Sequence, residues 1–478
     1  MRYTRSVLLL STLLFSVSAV HAEKLRSTLG DQRDVAVTIY NSDLALVKDQ
    51  RHVTLKNGTF DLAFRDVSAL LRPETALLRS VSAPGKLSVI EQNFNFDLLT
   101  PQKMLEKYVG KTVTAITTNP KTGAERRETA QVLSANNGIV LRIGNRIETA
   151  FPGRIVYGDV PPNLYDRPTL EMRLINKGSP QQNIELSYLT GGLAWKADYV
   201  ANLNAADSRL DLSGWVTLTN TSGATYRNAK LQLVAGDVNR VRDELRPMLA
   251  AAPLAKKAVR SGNAMAEESL LEYHLYTLDR PTTIAENQTK QVALLAATNV
   301  PVKKELLLRG SDYYYRSSYG DLGQKMKVGV FVEFENKASG NLGMPLPKGV
   351  IRVYKKDASG NAQFVGEDRI DHTPKNEKIR LKLGDAFDVT ADKKQTHFKK
   401  IDGDGKYNYV FESGYQIVLK NAKKEAVTVT VQEPLPGDWK IEDESHPHVK
   451  SASNTAVWQI KVPAESRTTL NYRAIVRY

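Results

Sequence analysis

The chain has 478 residues, 41% hydrophobic and 25% charged, which is too long for one ordinary core and excludes both wholesale disorder and a bundle of membrane helices. It carries 66 Lys and Arg against 52 Asp and Glu, a formal charge of +14, and no cysteine. The missing cysteine excludes thiolate nucleophiles, Cys-ligated zinc, disulfides and a lipidated N-terminal Cys. The positive excess favours anionic partners such as acidic polysaccharide, lipopolysaccharide phosphate or a membrane surface, although the scatter of Lys and Arg favours a merely solvated basic surface over a specific anion site.

The first 22 residues read as a secretory leader. Arg2 and Arg5 supply the basic start, Ser6 to Val20 is apolar or small, and Val20-His21-Ala22 places small residues where a signal peptidase cuts. Cleavage after Ala22 predicts an exported chain, periplasmic or secreted. No later stretch approaches the roughly 20 apolar residues of a spanning helix, so no transmembrane segment is expected after cleavage.

From residue 23 to 99 the text is short strands and turns: Val35, Val37 and Ile39 alternate with polar or small residues, and Asn57-Gly58 marks a hairpin before Phe60 to Phe64. Over 100–160, Thr100-Pro101 starts a short helix through Met104, Leu105 and Tyr108 that stops at Gly110. Five short strands follow, separated by turns such as Asn136-Asn137-Gly138, which is the plan of a small SH3-like or Sm-like barrel. Residues 161–407 read as a central β-sandwich domain. Its strands alternate with period two through Trp195 to Leu203, Leu210 to Leu218 and Ala229 to Ala235, which sets Trp195 on the apolar face. Trp215, as a large aromatic residue, is also expected in the core.

Within that domain, about 239–268 (Val238 to Glu268) lacks strand alternation and reads as an exposed, flexible insertion. Strand text resumes at Glu272 to Leu278, Gln291 to Ala296 and Val300 to Leu308. Residues 408–478 carry the spacing of an immunoglobulin-like sandwich, with a strand count low for a complete one. The fold class expected is therefore all-β: multidomain antiparallel β-sandwiches with a small SH3/Sm-like barrel module and few short helices. Charged outward faces argue against an outer-membrane barrel.

Chemistry-bearing patterns are sparse. His52, His274, His372, His397, His446 and His448 form no H-E-x-x-H, and no G-x-S-x-G elbow, Walker loop or dinucleotide fingerprint occurs. His446-Pro447-His448 has the spacing of a metal clip but no clear third ligand beyond Glu442 or Asp443. Asp402-Gly403-Asp404-Gly405 resembles the start of a calcium loop, but Ser413 stands where the closing Glu belongs. No catalytic residue, cofactor or metal ligand is assigned. The densest aromatic group, Tyr313, Tyr314 and Tyr315 with Tyr319, is the candidate ligand or partner contact, since tyrosines stack on sugar rings and partner surfaces. A half-buried edge strand explains the same residues.

Three runs are distinctive: Ser187-Tyr188-Leu189-Thr190-Gly191-Gly192-Leu193-Ala194-Trp195, Trp215-Val216-Thr217-Leu218-Thr219-Asn220 and Leu231-Gln232-Leu233-Val234-Ala235-Gly236. With Leu346-Pro347-Lys348-Gly349 and His372-Thr373-Pro374-Lys375-Asn376-Glu377, they resemble the bacterial family called domain of unknown function 4139. That family also includes the C-terminal part of the mucoidy inhibitor A-like proteins. The resemblance implies an exported β-rich protein and carries over no catalytic residue. The function expected is a non-enzymatic cell-envelope scaffold for a partner protein or an anionic glycan, with no nucleic-acid partner. The alternative is an envelope-polymer hydrolase using an unrecognised carboxylate pair.

Overall fold

Alternation decides which side chains enter the core. In the strand Leu193–Leu203, Trp195, Ala197, Tyr199, Ala201 and Leu203 are buried while Lys196 and Asn202 face out. The computed structural model describes residues 24–478 apart from 42, 96, 137, 162–163, 237, 240–264 and 403–404. Its described residues are predominantly strand, and the one α-helix among them is Pro101–Lys107. The all-β class is what the sequence requires. The leader lies outside the described residues, as do Gly403 and Asp404 of the Asp-Gly repeat and most of the 239–268 insertion. The last four residues of that insertion belong to the strand Met265–Leu270, whose Met265 is buried. There the charged text masked a strand anchored by one apolar residue.

The chain forms two compact units. The first comprises the described residues up to Val35 together with Val47–Thr190. Its four-stranded sheet sets Thr169–Asn176 between Gly58–Arg65 and Leu87–Asn95, with Leu25–Ser27 parallel at the edge. Arg51 is fully buried here. It donates to Asp49 at 2.8 Å and to the Arg65 carbonyl at 2.8 Å, with its guanidinium over the Phe64 ring. A second ladder runs Arg146–Glu148, Val140–Ile143, Glu125–Ser134, Thr112–Thr118, Arg154–Val156. It is entered through the helix Pro101–Lys107, where Thr100 accepts from the Lys103 amide and Gly110 turns away at φ 84°. Met104, Val113, Val132 and Leu141 give this ladder its own core. Its two end strands do not pair with each other among the described residues, so the ladder alone does not establish the expected barrel.

The second unit comprises Ala36–Leu46 and Gly191–Tyr478. Leu193–Leu203 pairs antiparallel with Arg209–Asn220 and parallel with Gly349–Lys356, so parallel pairing joins the expected antiparallel plan. Trp215 is 41% exposed, which corrects its expected core placement. Leu210, Leu212, Val216 and Leu218 point inward, and an odd-numbered position on that strand must point out. Three long strands, Gln288–Arg309, Asp321–Glu335 and Lys378–Ile401, run on to share a sheet with the C-terminal strands. There their far halves supply Leu306, Leu308, Val328, Val389 and Ala391 to a core with Tyr415, Ile417, Trp458 and Leu470.

Candidate functional site

The tyrosine group lies on a 3-10 turn, Asp312–Tyr315, that follows Gly310 at the end of the strand Gln288–Arg309. With three residues per turn, successive side chains fan apart, so three consecutive tyrosines cannot share a face. Tyr314 and Tyr315 turn into the sandwich and are buried, while Tyr313 is 49% exposed and Tyr319 half-buried. Tyr313 meets Tyr314 and Tyr319 edge-on, with centroids at 4.7 and 5.8 Å. The structure therefore divides the four tyrosines between a surface pair and an interior pair.

The interior pair meets a charged group. Lys393 Nζ lies 2.6 Å from Glu433 Oε1, and both side chains are 1% exposed. Tyr315 donates to Glu433 Oε2 at 3.2 Å, its hydroxyl lies 2.8 Å from that of Tyr472, and Lys393 lies over the Tyr314 and Tyr415 rings. Burial pushes the Tyr315 and Tyr472 phenols well above their ordinary range and pulls the Lys393 amine below its own, against the pull of Glu433. Sequence reading missed Lys393 and Glu433. The signal was parity: Val389, Ala391 and Lys393 share one face of a strand, as do Val429, Val431 and Glu433.

The surface feature is an aromatic platform. Tyr415, Ile417 and Leu419 face the core, and so by parity does Phe411, yet Phe411, near the start of the strand, is only half-buried. The same holds for Tyr478 after Tyr472, Ala474 and Val476, and for Phe398 opposite Ser413. Phe411 stacks with Tyr409, planes 6° apart at 6.3 Å, and with Phe398, 24° apart at 5.7 Å. Lys400 sits 5.3 Å over the Tyr409 ring and Arg316 is 5.8 Å from the Tyr478 ring. Partial burial raises the Tyr478 phenol, against the pull of Arg316. The arrangement offers flat apolar faces beside cations, which suits a ring carrying a negative group.

All of these residues fall within one sequence match. A family model described as Domain of unknown function (DUF4139) matches residues 184–478. The chain belongs to that family. No curated protein matches the chain. Membership of DUF4139 assigns no activity, so the platform and the charged interior are argued from geometry alone.

Elsewhere in this DUF4139 chain the histidines and carboxylates singled out by sequence are held by near neighbours. Among the described residues no three His, Asp or Glu side chains are placed to hold a metal ion. His448 Nδ1 lies 2.9 Å from Glu444, which also accepts from the Trp458 indole, and His446 Nδ1 lies 3.0 Å from the Ser445 hydroxyl. A cavity of about 220 Å³ is lined by Leu203, Val330, Val332 and Leu383, with Asp207 held between Lys304 and Lys355. Burial would raise the Asp207 and Glu171 carboxyls, but their lysines hold both below the usual range, and the Arg173 hydrogen bond lowers Asp61. No helix among the described residues is long and apolar enough to cross a membrane.

Proposed function

We propose that the protein is an exported, non-enzymatic scaffold of the cell envelope that binds an anionic glycan on the platform of Tyr409, Phe411, Phe398 and Tyr478. One observation carries the reading: three near-parallel rings left half-covered at the end of a sheet, with Lys400 and Arg316 against aromatic faces. Sugar rings stack on such faces through their apolar C–H surfaces, and cations beside them select acidic sugars over neutral ones. The leader up to Ala22 and the formal charge of +14 support the same reading.

The hydrolase alternative needs a carboxyl held protonated near neutral pH to act as general acid. Asp61, Glu171 and Asp207 all have lowered values, which favours binding over hydrolysis. The test is calorimetric titration of the mature protein with an acidic oligosaccharide of uronic acids and with its neutral counterpart. Binding to the acidic form alone is expected, weakened at least about tenfold by Tyr409→Ala or Lys400→Ala and weakened further by added salt. Equal binding of both oligosaccharides, or of wild type and variants, would remove the platform as the site. N-terminal sequencing of protein recovered from the envelope is expected to begin at Glu23, and retention of the leader in the cytoplasm would remove the export step.

A further inference from the structure

The Lys393 and Glu433 pair is costly as an ion pair. Each charge taken out of water loses several kcal/mol of solvation even after the surroundings relax. Both side chains are 1% exposed, and among the described residues the phenols of Tyr315 and Tyr472 are the polar side chains hydrogen-bonded to them. The environment disfavours the charged amine: burial pulls it below the ordinary lysine range. A lysine amine beside a glutamate carboxyl, shielded from water, is a nucleophile and an electrophile held at contact.

The geometry meets the demands of condensation. Nζ lies 2.6 Å from Oε1, one C–O bond from Cδ, so a small turn of the carboxyl gives the roughly 3–3.5 Å separation from which a bond forms. The Tyr315 hydroxyl donates to the other oxygen, Oε2, at 3.2 Å, where negative charge develops during attack. Gly310 presses against the Glu433 carboxylate and is anchored by its amide to the Gln432 carbonyl at 2.8 Å; any side chain at 310 would collide with that carboxylate. Lys393 and Glu433 lie on two strands that do not pair with each other, Lys378–Ile401 and Val427–Pro434.

We propose that Lys393 and Glu433 condense after folding into an intramolecular amide that ties together the strands Lys378–Ile401 and Val427–Pro434, which are not hydrogen-bonded neighbours. The Lys393 ammonium first passes a proton to Oε1, leaving an amine and a carboxylic acid. Nζ attacks Cδ, the C–N bond forms, and the carbonyl electron pair moves onto Oε2 beneath the Tyr315 hydroxyl. A second proton passes from nitrogen to Oε1, the Cδ–Oε1 bond breaks, and one water leaves. No oxidant, metal or co-reactant is required, and both buried charges are abolished. In a chain without cysteine the amide is a covalent staple that needs no redox chemistry.

Trypsin reads the outcome, because it does not cleave after a lysine whose amine is an amide. Digestion of the purified full chain is expected to give residues 383–394 joined to residues 425–440, lighter than the two peptides together by one water, about 18 Da. Lys393→Arg and Glu433→Ala, analysed alike, are expected to give no joined species, whether or not those variants fold well. Recovery of residues 383–393 and 425–440 from the wild type only as separate peptides would overturn the proposal. The glycan reading does not depend on the result.

Discussion

Asp207 takes the ammonium of Lys304 at 2.7 Å and that of Lys355 more closely still, beside the apolar wall of Leu203, Val330 and Val332. Burial works against its charge, yet the two lysines hold its carboxyl below the usual range. A carboxyl lowered on folding contributes stability that is complete above its unfolded value, about 3.9, and is lost as pH falls through the lower folded value. Asp207→Asn is therefore expected to be less stable than wild type at pH 7 by about 1–3 kcal/mol. The difference should shrink as urea midpoints are compared from pH 5 down to pH 3. The two tryptophans give a second contrast. Trp195→Ala, at a 5% exposed position, is expected to cost about 3–5 kcal/mol, and Trp215→Ala less than about 1 kcal/mol by the same measurement. Alternation made both outcomes readable, since Leu210 to Leu218 fixes the inward parity and Trp215 breaks it. Lys393 and Glu433 were readable by parity too. Their meeting was not, because a period of two gives a residue its face and never its partner across the core.

At the scale of elements, the strand Gln288–Arg309 shows what local sequence signals miss. Its first half pairs with Arg209–Asn220 and its second with Asp321–Glu335, so one strand of 22 residues serves two cores. The sequence predicts separate strands at 291–296 and 300–308, with residues 297–299 between them. They mark a bulge instead: the register shifts opposite Leu210 and Leu212, Asn299 takes φ 59°, and its amide donates to Asp211 at 2.8 Å. Asn tolerates that left-handed conformation and a β-branched residue does not. Asn299→Val is expected to lower stability by about 1–2 kcal/mol, with Asn299→Gly within about 0.5 kcal/mol of wild type. Denaturant midpoints at unchanged slope would check both; equal loss in the two variants would show that the side-chain amide, not the backbone, matters. The helix Pro101–Lys107 was the opposite case, because its cap, its proline and its stopping glycine are all local.

At the scale of the molecule, the family match and the compact unit do not coincide. The match begins at residue 184, whereas the second unit also contains Ala36–Leu46. Within that unit Ala36 to Tyr40 pairs in parallel with Lys230 to Val234, and Thr38 donates to Gln232, 194 residues away, at 3.3 Å. Sequence alternation identified Val37 and Ile39 as inward residues, but no local pattern names a neighbour that distant. Both side chains are fully buried, and burial of each is worth about 1.5–3 kcal/mol. A fragment of residues 184–478 lacks this strand. It would leave the backbone edge of Lys230 to Val234 unpaired beside the buried faces of Leu231 and Leu233, an arrangement that invites edge-to-edge association. The fragment is expected to self-associate on size-exclusion chromatography and to melt below the full chain. A synthetic peptide of residues 34–46 should raise its melting temperature in a concentration-dependent way, as any ligand selective for the folded state does. A monomeric fragment indifferent to the peptide would show that the matched region closes its own sheet, and that the strand near the N-terminus is an addition to the family fold rather than part of it.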